Sequence, residues 1–236
     1  MSRVLLIAAH GSHLDSRSSE PVHRHADALR RSGNFDSVLS GFWKEEPALC
    51  RALDGIRSER VVVVPFFMAD GYFTRTVIPR ELAQGFDRQL VITSPLGVHP
   101  GLAGLVRDIA LAAGAGANDT VAVLGHGTPR NESSANAAAC HARTLAESGP
   151  FACVLPLYLD QEPSIATFDP AGCPGRLFMV PLFVSDGWHA GTSIPEAMAT
   201  ARLHDAVLTP AVGTMPAAAN LMADLAMEAY KQGGQR

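Results

Sequence analysis

The sequence predicts an α/β fold built from two related halves, each a doubly wound parallel sheet with helices on both faces. Apolar runs typical of strands buried on both faces alternate with segments of helical periodicity. Strands that alternate with helices form right-handed βαβ units, and these units give a parallel sheet. Landmark residues also recur at a constant spacing of 116 positions, as His10 and His126 do (126 − 10). The spacing indicates that the chain contains the same unit twice.

The repeat extends over most of the chain. Besides the two histidines, the pairs that share this spacing are Glu46 and Glu162, Pro65 and Pro181, Gly71 and Gly187, Pro79 and Pro195, and Gly97 and Gly213. The small residues over positions 113–118 are typical of a linker between the copies. We therefore predict an N-terminal domain over residues 1–116 and a C-terminal domain over residues 117–236.

The first copy sets out the elements that the second repeats. We predict strands over about 3–9, 37–43, 60–68 and 89–93, and helices over about 19–31, 45–56, 79 onward and 100–113. Gly33 suits the end of the first helix, and Pro47 suits the first turn of the second. In the second copy the strands are expected near 120–125, 152–158, 176–183 and 206–210. Each copy is thus expected to be flavodoxin-like, with its ligand site outside the carboxyl ends of the strands.

Composition places the chain among ordinary globular proteins. Charged residues make up 18% and hydrophobic residues 47% of the 236 residues, which excludes a disordered chain. The net charge of −4 gives no general affinity for nucleic acid or for an anionic membrane. No apolar run approaches the length of a membrane span, and the N-terminus lacks the pattern of a signal peptide. We therefore expect a cytoplasmic protein.

The 4 cysteines show no C-x-x-C pair. Their spacing argues against a zinc ribbon and against a cysteine-bound iron–sulfur cluster. Buried free thiols in a reducing compartment are the simpler interpretation.

Histidines follow strands in both copies. His126 comes directly after an apolar run, and Gly127 allows a sharp turn there. His10 occupies the same place in the first copy. The loops after the third strands align without gaps, and the alignment places Phe73 opposite His189. Only the second copy therefore carries a histidine after both its first and its third strand.

The histidines of the second copy predict a metal site. In a doubly wound sheet the first and third strands are commonly neighbours, so His126 and His189 are expected to lie close together. Two neutral imidazoles suit a borderline divalent ion such as Co²⁺, Ni²⁺, Fe²⁺ or Zn²⁺. Glu162 follows the strand between them in sequence and is a candidate third ligand or proton acceptor. A helix cap is nearly as good an interpretation of Glu162, because carboxylates are favoured at helix N-termini.

The remaining histidines lack a second histidine or a carboxylate in a matching position. We expect His23 and His25 to be solvated, since residues two apart do not share a helix face. We expect His141 to be incidental to function, because it too lacks a second histidine or a carboxylate in a matching position.

The combined pattern resembles that of the class II chelatases. It consists of His-Gly-Ser/Thr after the first strand, Glu-Pro after the second and Val-Pro-Leu-Phe-…-Gly-x-His-…-Ile-Pro after the third, and it is most similar to the CbiX-type sirohydrochlorin chelatases. The resemblance implies two flavodoxin-like halves around a cleft and the insertion of Co²⁺ or Fe²⁺ into a tetrapyrrole without ATP. Carried over to this sequence, it implies His126 and His189 as metal ligands that assist removal of the pyrrole protons, with Glu162 nearby.

The resemblance also implies the molecules that the protein meets. They are a tetrapyrrole of cobalamin or sirohaem synthesis and a divalent metal substrate, Co²⁺ or else Fe²⁺ or Ni²⁺, with no further cofactor. No nucleic acid or membrane partner is expected, and the chain is expected to be a monomer or a homodimer. The aromatic candidates for the walls around the macrocycle are Phe66, Phe67, Tyr72, Phe73, Phe183 and Trp188. The candidates to pair with its acid arms are Arg75, Arg80 and Arg130.

Two features depart from the family pattern. The long sirohydrochlorin chelatases usually carry the histidine pair in the first copy, where this chain keeps His10, a further candidate metal ligand, but has Phe73. The usual Asp-Ile-Pro is replaced by Val-Ile-Pro at 77–79 and by Ser-Ile-Pro at 193–195.

A non-catalytic carrier of metal or tetrapyrrole is the alternative function. A phosphohistidine enzyme is a weaker one, because the chain lacks a glycine-rich phosphate loop.

Overall fold

Two four-stranded parallel sheets form the framework of the protein. The computed structural model describes residues 2–13, 18–128, 132–187 and 189–232, without the side chains of residues 132–134 and 189–190. The first sheet has the order β2-β1-β3-β4 and comprises β1 (Val4–Ala9), β2 (Ser37–Phe42), β3 (Arg60–Pro65) and β4 (Gln89–Ile92). The second has the order β6-β5-β7-β8 and comprises β5 (Thr120–Gly125), β6 (Cys153–Tyr158), β7 (Leu177–Pro181) and β8 (Val207–Leu208). The predicted α/β class is confirmed, and the first and third strands of each copy are paired as expected.

Helices flank both sheets. In the described part of the chain they are α1 (Glu20–Arg31), α2 (Ile78–Ala83), α3 (Leu102–Ala112), α4 (Glu132–Ser148), α5 (Ile194–Thr200) and α6 (Ala218–Gln232). Two π-helical segments, Phe73–Val77 and His189–Ser193, run directly into α2 and α5 and begin at matching positions of the two copies. None of the described helices is long and apolar enough to cross a membrane.

The predicted helix over residues 45–56 is wrong. In this fully described segment the helical structure is a 3-residue 3₁₀ turn, Leu49–Arg51. The chain instead folds back along the end of β2, where the Phe42 amide donates to Pro47 O at 2.9 Å. Ala48 is extended, with φ −61° and ψ 144°. An extended residue at this point prevents an α-helix from continuing through it.

The central strands form the core of each sheet. Every residue of β1 and of β5 is buried. A parallel strand covered by helices on both faces needs apolar side chains on both sides. This requirement explains why these strands are continuous apolar runs without alternation in the sequence.

The chain forms two compact units, and they differ from the sequence repeats. One unit comprises the residues up to His99 together with those from Pro216 onward, and the other comprises Pro100–Met215. Helix α3, the last helix of the first copy, packs against α4 and β7, whereas α6 packs against α1 and β3. Each sheet is thus covered by the final helix of the other copy.

Polar contacts secure α6 on the first sheet. The Tyr230 hydroxyl accepts from Val4 N and donates to Val4 O, both at 2.7 Å. Arg60 donates to Ala229 O at 2.6 Å, and its guanidinium carbon lies 5.2 Å from the centroid of the Tyr230 ring. Gly114 occupies the matching position of the first copy (230 − 116), so that copy has no counterpart of the tyrosine anchor.

Candidate metal site

Two loops at the carboxyl ends of paired strands carry the predicted histidines. His126 follows β5, and His189 begins the π-helical segment between β7 and α5. Strands β5 and β7 are hydrogen-bonded neighbours, and Leu182 N, just beyond β7, donates to Leu124 O at 2.8 Å. The backbone therefore brings both loops to one edge of the second sheet. The His189 side chain lies outside the described residues, so its pairing with His126 stays a prediction.

The imidazole of His126 has a defined tautomer. Its Nδ1 lies 2.8 Å from Gly127 O, and donation to a carbonyl requires the hydrogen to be on Nδ1. The lone pair then resides on Nε2, which makes this nitrogen the one suited to bind a metal ion. The side chain is 39% exposed, so an ion can reach it from solvent.

Asp160 adds a carboxylate to the site that the sequence analysis missed. Its Oδ2 lies 3.3 Å from His126 Nδ1, and its amide donates to His126 O at 3.0 Å. A negative charge beside the imidazole attracts a cation that the imidazole binds. The matching residue of the first copy is Lys44 (160 − 44 is 116), so the two copies carry opposite charges here. The change from Lys44 to Asp160 between the two copies could have indicated this carboxylate from the sequence.

Gly127 is required by the turn that aims His126. Its φ is +67°, and a Cβ there would lie 2.6 Å from Gln161 Cγ and 2.8 Å from Tyr158 Cβ. Gln161 Oε1 also accepts from Thr128 N at 2.9 Å, which fixes the turn from the other side. The Tyr158 hydroxyl donates to Ala135 O at 3.0 Å, and burial raises the pKa of this tyrosine. Tyr158 is therefore a neutral support of the loop and not a candidate base.

Glu162 lies in the loop after β6, the neighbour of β5 on its other side. Its carboxylate is exposed and accepts from Ser164 N at 3.0 Å and from the Thr167 hydroxyl at 3.4 Å. The cap of the short 3₁₀ helix Ile165–Thr167 is Ser164, whose hydroxyl accepts from Ala166 N, so Glu162 secures the turn that leads into this helix. Glu162 thus lies beside the N-terminus of this helix without capping it, and a catalytic role for Glu162 stays a prediction.

The first copy surrounds its histidine differently. His10 repeats the local geometry, with Nδ1 2.7 Å from Gly11 O and with φ +68° at Gly11. Its ring centroid, however, lies 5.2 Å from that of Trp43 and 5.0 Å from that of Phe73. Aromatic rings and Lys44 therefore stand where the second copy has His189 and Asp160. Metal binding by His10 stays a prediction, and these neighbours supply no second ligand.

Among the residues whose side chains are described, no group of three or more histidine, cysteine or acidic side chains could hold a metal ion. The described part of the site consequently contributes His126 and Asp160. Two other predicted candidates, Trp188 and Arg130, lie outside the described residues.

The expectation that His25 is solvated is wrong. His25 and His141 lie at matching positions of α1 and α4, and they are only 2% and 4% exposed. The ring of His25 packs against Phe66, with centroids 5.5 Å apart. Both histidines therefore belong to the packing of their helices on the sheets. The missed signal was their spacing of 116 residues, since solvated positions have no reason to repeat.

Comparison with known proteins relates the sequence and the fold of this chain to the chelatases. The sequence profile of the CbiX family matches residues 4–112 and again residues 120–229. A relative from Halobacterium salinarum, described as a probable sirohydrochlorin cobaltochelatase, is 35% identical over 96% of this chain and 91% of its own length.

Solved structures share the fold. A multi-domain protein from Deinococcus radiodurans, described as structurally similar to chelatases, superposes with a TM-score of 0.84 at 30% identity over 97% of this chain. The chain spans only 55% of the length of that protein. The CbiX of denitrifying bacteria, described as the terminal enzyme of sirohaem biosynthesis, superposes with a TM-score of 0.74 at 28% identity over 96% of this chain and 99% of its own.

Proposed function

The chain belongs to the CbiX family, and on that premise we propose that it inserts a divalent metal ion into a tetrapyrrole such as sirohydrochlorin. Co²⁺ is the favoured ion, with Fe²⁺ and Ni²⁺ as alternatives, because imidazole suits all three. The observation that carries the proposal is the His126 imidazole. Its Nδ1 is bonded to Gly127 O, which leaves Nε2 available as a metal ligand, and the Asp160 carboxylate lies 3.3 Å from Nδ1. His189 is the second ligand, on the loop after the paired strand β7.

The two histidines first collect the ion from water. A hydrated ion exchanges water for imidazole nitrogens, and these are in turn exchanged for ring nitrogens as the macrocycle binds. Asp160 offsets part of the positive charge while the ion waits at the site. Two neutral protein ligands leave coordination positions open for the macrocycle.

The reaction must also dispose of two protons. The metal replaces the hydrogens on two pyrrole nitrogens, so the balanced step releases two H⁺ and involves no redox change and no nucleotide. Acceptors beside the ion make this step faster. His126 and His189 accept protons once the metal has moved to the ring, and Glu162 passes them to solvent from its exposed loop. We place this chemistry in the cytoplasm, with the chain acting as a monomer or homodimer.

The test is metal insertion followed by absorbance of the macrocycle. Metal-free sirohydrochlorin is mixed with Co²⁺, and the rate without protein is subtracted. Wild type is compared with His126→Ala, His189→Ala, Glu162→Gln and His10→Ala. We expect the first two variants to lose catalysed insertion, Glu162→Gln to slow it by on the order of tenfold, and His10→Ala to retain it.

Two outcomes would contradict the proposal in different ways. Insertion that survives the combined loss of His126 and His189 would overturn the site. Tight Co²⁺ binding by wild type without insertion into any tetrapyrrole would favour the non-catalytic carrier.

A further inference from the structure

An aspartate ties the loop that carries His189 to the segment that follows β8. Asp186 lies three residues before His189 in the sequence, and its Oδ1 accepts from Ala211 N at 2.7 Å. The two bonded residues are 25 positions apart, so the bond joins separate segments of the chain. A charged acceptor makes such a bond stronger than one between neutral groups.

The Ala211 end of this bond is fixed in the core. Ala211 is fully buried, and Thr209 N donates to Met179 O at 3.0 Å, which continues the pairing of β8 with β7. The Thr214 hydroxyl donates to Ala211 O at 2.8 Å. Asp186, in contrast, is exposed. The bond therefore joins an exposed loop to a buried anchor.

The first copy uses the matching aspartate differently. Asp70 (186 − 116) accepts from the Thr74 hydroxyl at 2.7 Å and from the Arg75 guanidinium at 2.8 Å. Both partners lie within five residues of Asp70, so these contacts stay inside one loop. The contact with Arg75 also lowers the pKa of the Asp70 carboxyl. Pro95 stands where the second copy has Ala211, and proline has no N–H to donate.

Three positions around the aspartate change together between the copies. In pairs of first and second copy they are Thr74 and Ala190, Arg75 and Gly191, and Pro95 and Ala211. The second copy thus lacks the two side chains that bond Asp70 and gains a backbone N–H. These differences release Asp186 from contacts within its own loop and supply the donor that it bonds.

The backbone around the donor is the same in both copies, so proline removes the donor without changing the turn. Pro95 has φ −69° and ψ 157°, and Ala211 has φ −67° and ψ 142°. In each copy the glycine two residues later donates back to the loop after the third strand at 2.8 Å. The fold therefore holds this segment in both copies, and the bond to Asp186 is an addition in the second.

We propose that Asp186 is a positioning residue for the metal site, and that it holds the His189 loop in place through its bond to Ala211. This inference rests on the proposed function, in which His189 is the second metal ligand. Gly191 N donates to Gly187 O at 2.8 Å, so the helical bonding begins directly after Asp186. The bond to Ala211 thus fixes the start of the π-helical segment. A ligand that is held before the ion arrives loses less conformational entropy on binding.

Three variants test the bond from both of its ends. Asp186→Ala removes the acceptor, and Ala211→Pro removes the donor but keeps the carboxylate. Proline suits the φ of −67° at Ala211 and occupies the same buried position in the first copy, so the fold is expected to accept it. Asp186→Asn keeps an oxygen that can accept the bond and is the conservative rescue. Asp70→Ala removes the matching carboxylate of the first copy and is the matched control.

Two measurements separate positioning from a general loss of stability. The first is the affinity for Co²⁺ together with the visible absorption of the bound ion, which depends on its coordination geometry. The second is hydrogen exchange of the metal-free protein over residues 187–193, which requires neither metal nor macrocycle. We expect Asp186→Ala and Ala211→Pro each to weaken Co²⁺ binding and to speed exchange by about fivefold. Asp186→Asn should retain most of the affinity, and Asp70→Ala should leave both measurements within about twofold.

Combined variants show whether the effect passes through one bond and one ligand. Asp186→Ala with Ala211→Pro should bind Co²⁺ as well as either variant alone, because both substitutions remove the same bond. In a His189→Ala background, Asp186→Ala should cause no further loss of Co²⁺ affinity, because the loop then holds no ligand. A further loss in that background would show that the charge of Asp186 acts directly and would contradict positioning.

The possible results separate this inference from the proposed function. Unchanged exchange, or faster exchange with unchanged Co²⁺ affinity, would overturn positioning by Asp186, even where thermal stability falls. A wild type that binds Co²⁺ with the expected dependence on this bond, but inserts no metal into any tetrapyrrole, would keep the positioning residue and overturn the chelatase. Co²⁺ affinity that is absent in wild type, or unchanged in His189→Ala, would overturn both His189 as a ligand and the role of Asp186.

Discussion

At the scale of single residues, the contact between His126 and Asp160 gives the second copy a candidate metal ligand with a negative charge beside it. Gly127 O holds the hydrogen on Nδ1 and so leaves Nε2 as the ligand atom, while Oδ2 of Asp160 lies 3.3 Å from the same Nδ1. The first copy keeps the glycine turn but places Lys44 where the carboxylate would be. The two turns are nearly identical in geometry, so the copies differ in what surrounds the histidine: Asp160 in the second copy, and Lys44 with aromatic rings in the first.

We predict that Asp160→Asn weakens Co²⁺ binding by about fivefold, because an exposed charge interaction contributes up to about 1 kcal/mol. The visible absorption of bound Co²⁺ measures the affinity, and Asp160→Glu should retain most of it. Asp54→Asn is the matched control, since it makes the same charge change at an exposed aspartate of the other compact unit. An equal loss in both variants would mean that net charge alone matters.

At the scale of secondary-structure elements, the sequence was informative where local pattern decides the structure. Buried parallel strands are apolar throughout, so their positions and their neighbours could be predicted. The segment 45–56 could not, because the backbone bond from Phe42 to Pro47 that keeps it extended joins residues across a turn. The π-helical segments were also missed, since 5 residues are too few for a hydrophobic period to distinguish them from the α-helices that follow. Both segments occur at the candidate sites, which agrees with the frequent occurrence of π-helix at functional positions.

The loop that leads to His189 depends on a close backbone approach at Gly213. A Cβ at this glycine would collide with the carbonyl oxygen of Val184 and lie 2.5 Å from its Cα, and Gly213 N donates to Phe183 O at 2.8 Å. We predict that Gly213→Ala lowers the free energy of unfolding by about 1–3 kcal/mol and reduces metal insertion, because the loop must move away.

Gly104→Ala is the control for that variant. Gly104 lies within α3, and a Cβ there would meet nothing within 4 Å. The substitution should raise the free energy of unfolding by about 0.5–1 kcal/mol through helix propensity and leave insertion unchanged. Chemical denaturation of both variants, with the insertion assay, provides the comparison. A Gly213→Ala protein as stable and active as wild type would show that the loop adapts without cost.

At the scale of the whole molecule, the sequence repeats and the compact units are different divisions of the chain. The repeat was evident from its spacing, but the partner of each final helix was not. Helices α3 and α6 occupy equivalent places in the two copies, and an apolar helix face does not specify which of two similar sheets it covers. The tyrosine anchor at Tyr230 and the bond from Arg60 to Ala229 O distinguish α6, through contacts 226 and 169 residues apart in sequence.

We predict that cutting the chain at the repeat boundary yields fragments that depend on each other. A fragment of residues 1–116 lacks α6, so the face of its sheet near α1 and β3 loses its native cover. Expressed together, fragments 1–116 and 117–236 should co-purify and insert metal, whereas each alone should lose cooperative unfolding. Size-exclusion chromatography and denaturation measure both properties. A monomeric 1–116 fragment that unfolds cooperatively would show that α3 can replace α6.

Phe73 and His189 also bear on how such a protein can change over time. In an assembly of two identical chains, one mutation alters both copies of a position, so a histidine replaced by phenylalanine would disappear from both sites at once. In this chain the equivalent positions are encoded separately, and Phe73 coexists with His189. In a tandem repeat, one copy can therefore lose a metal ligand while the other copy keeps it. The two loops can therefore differ in this chain, whereas in an assembly of two identical chains they would have to stay the same.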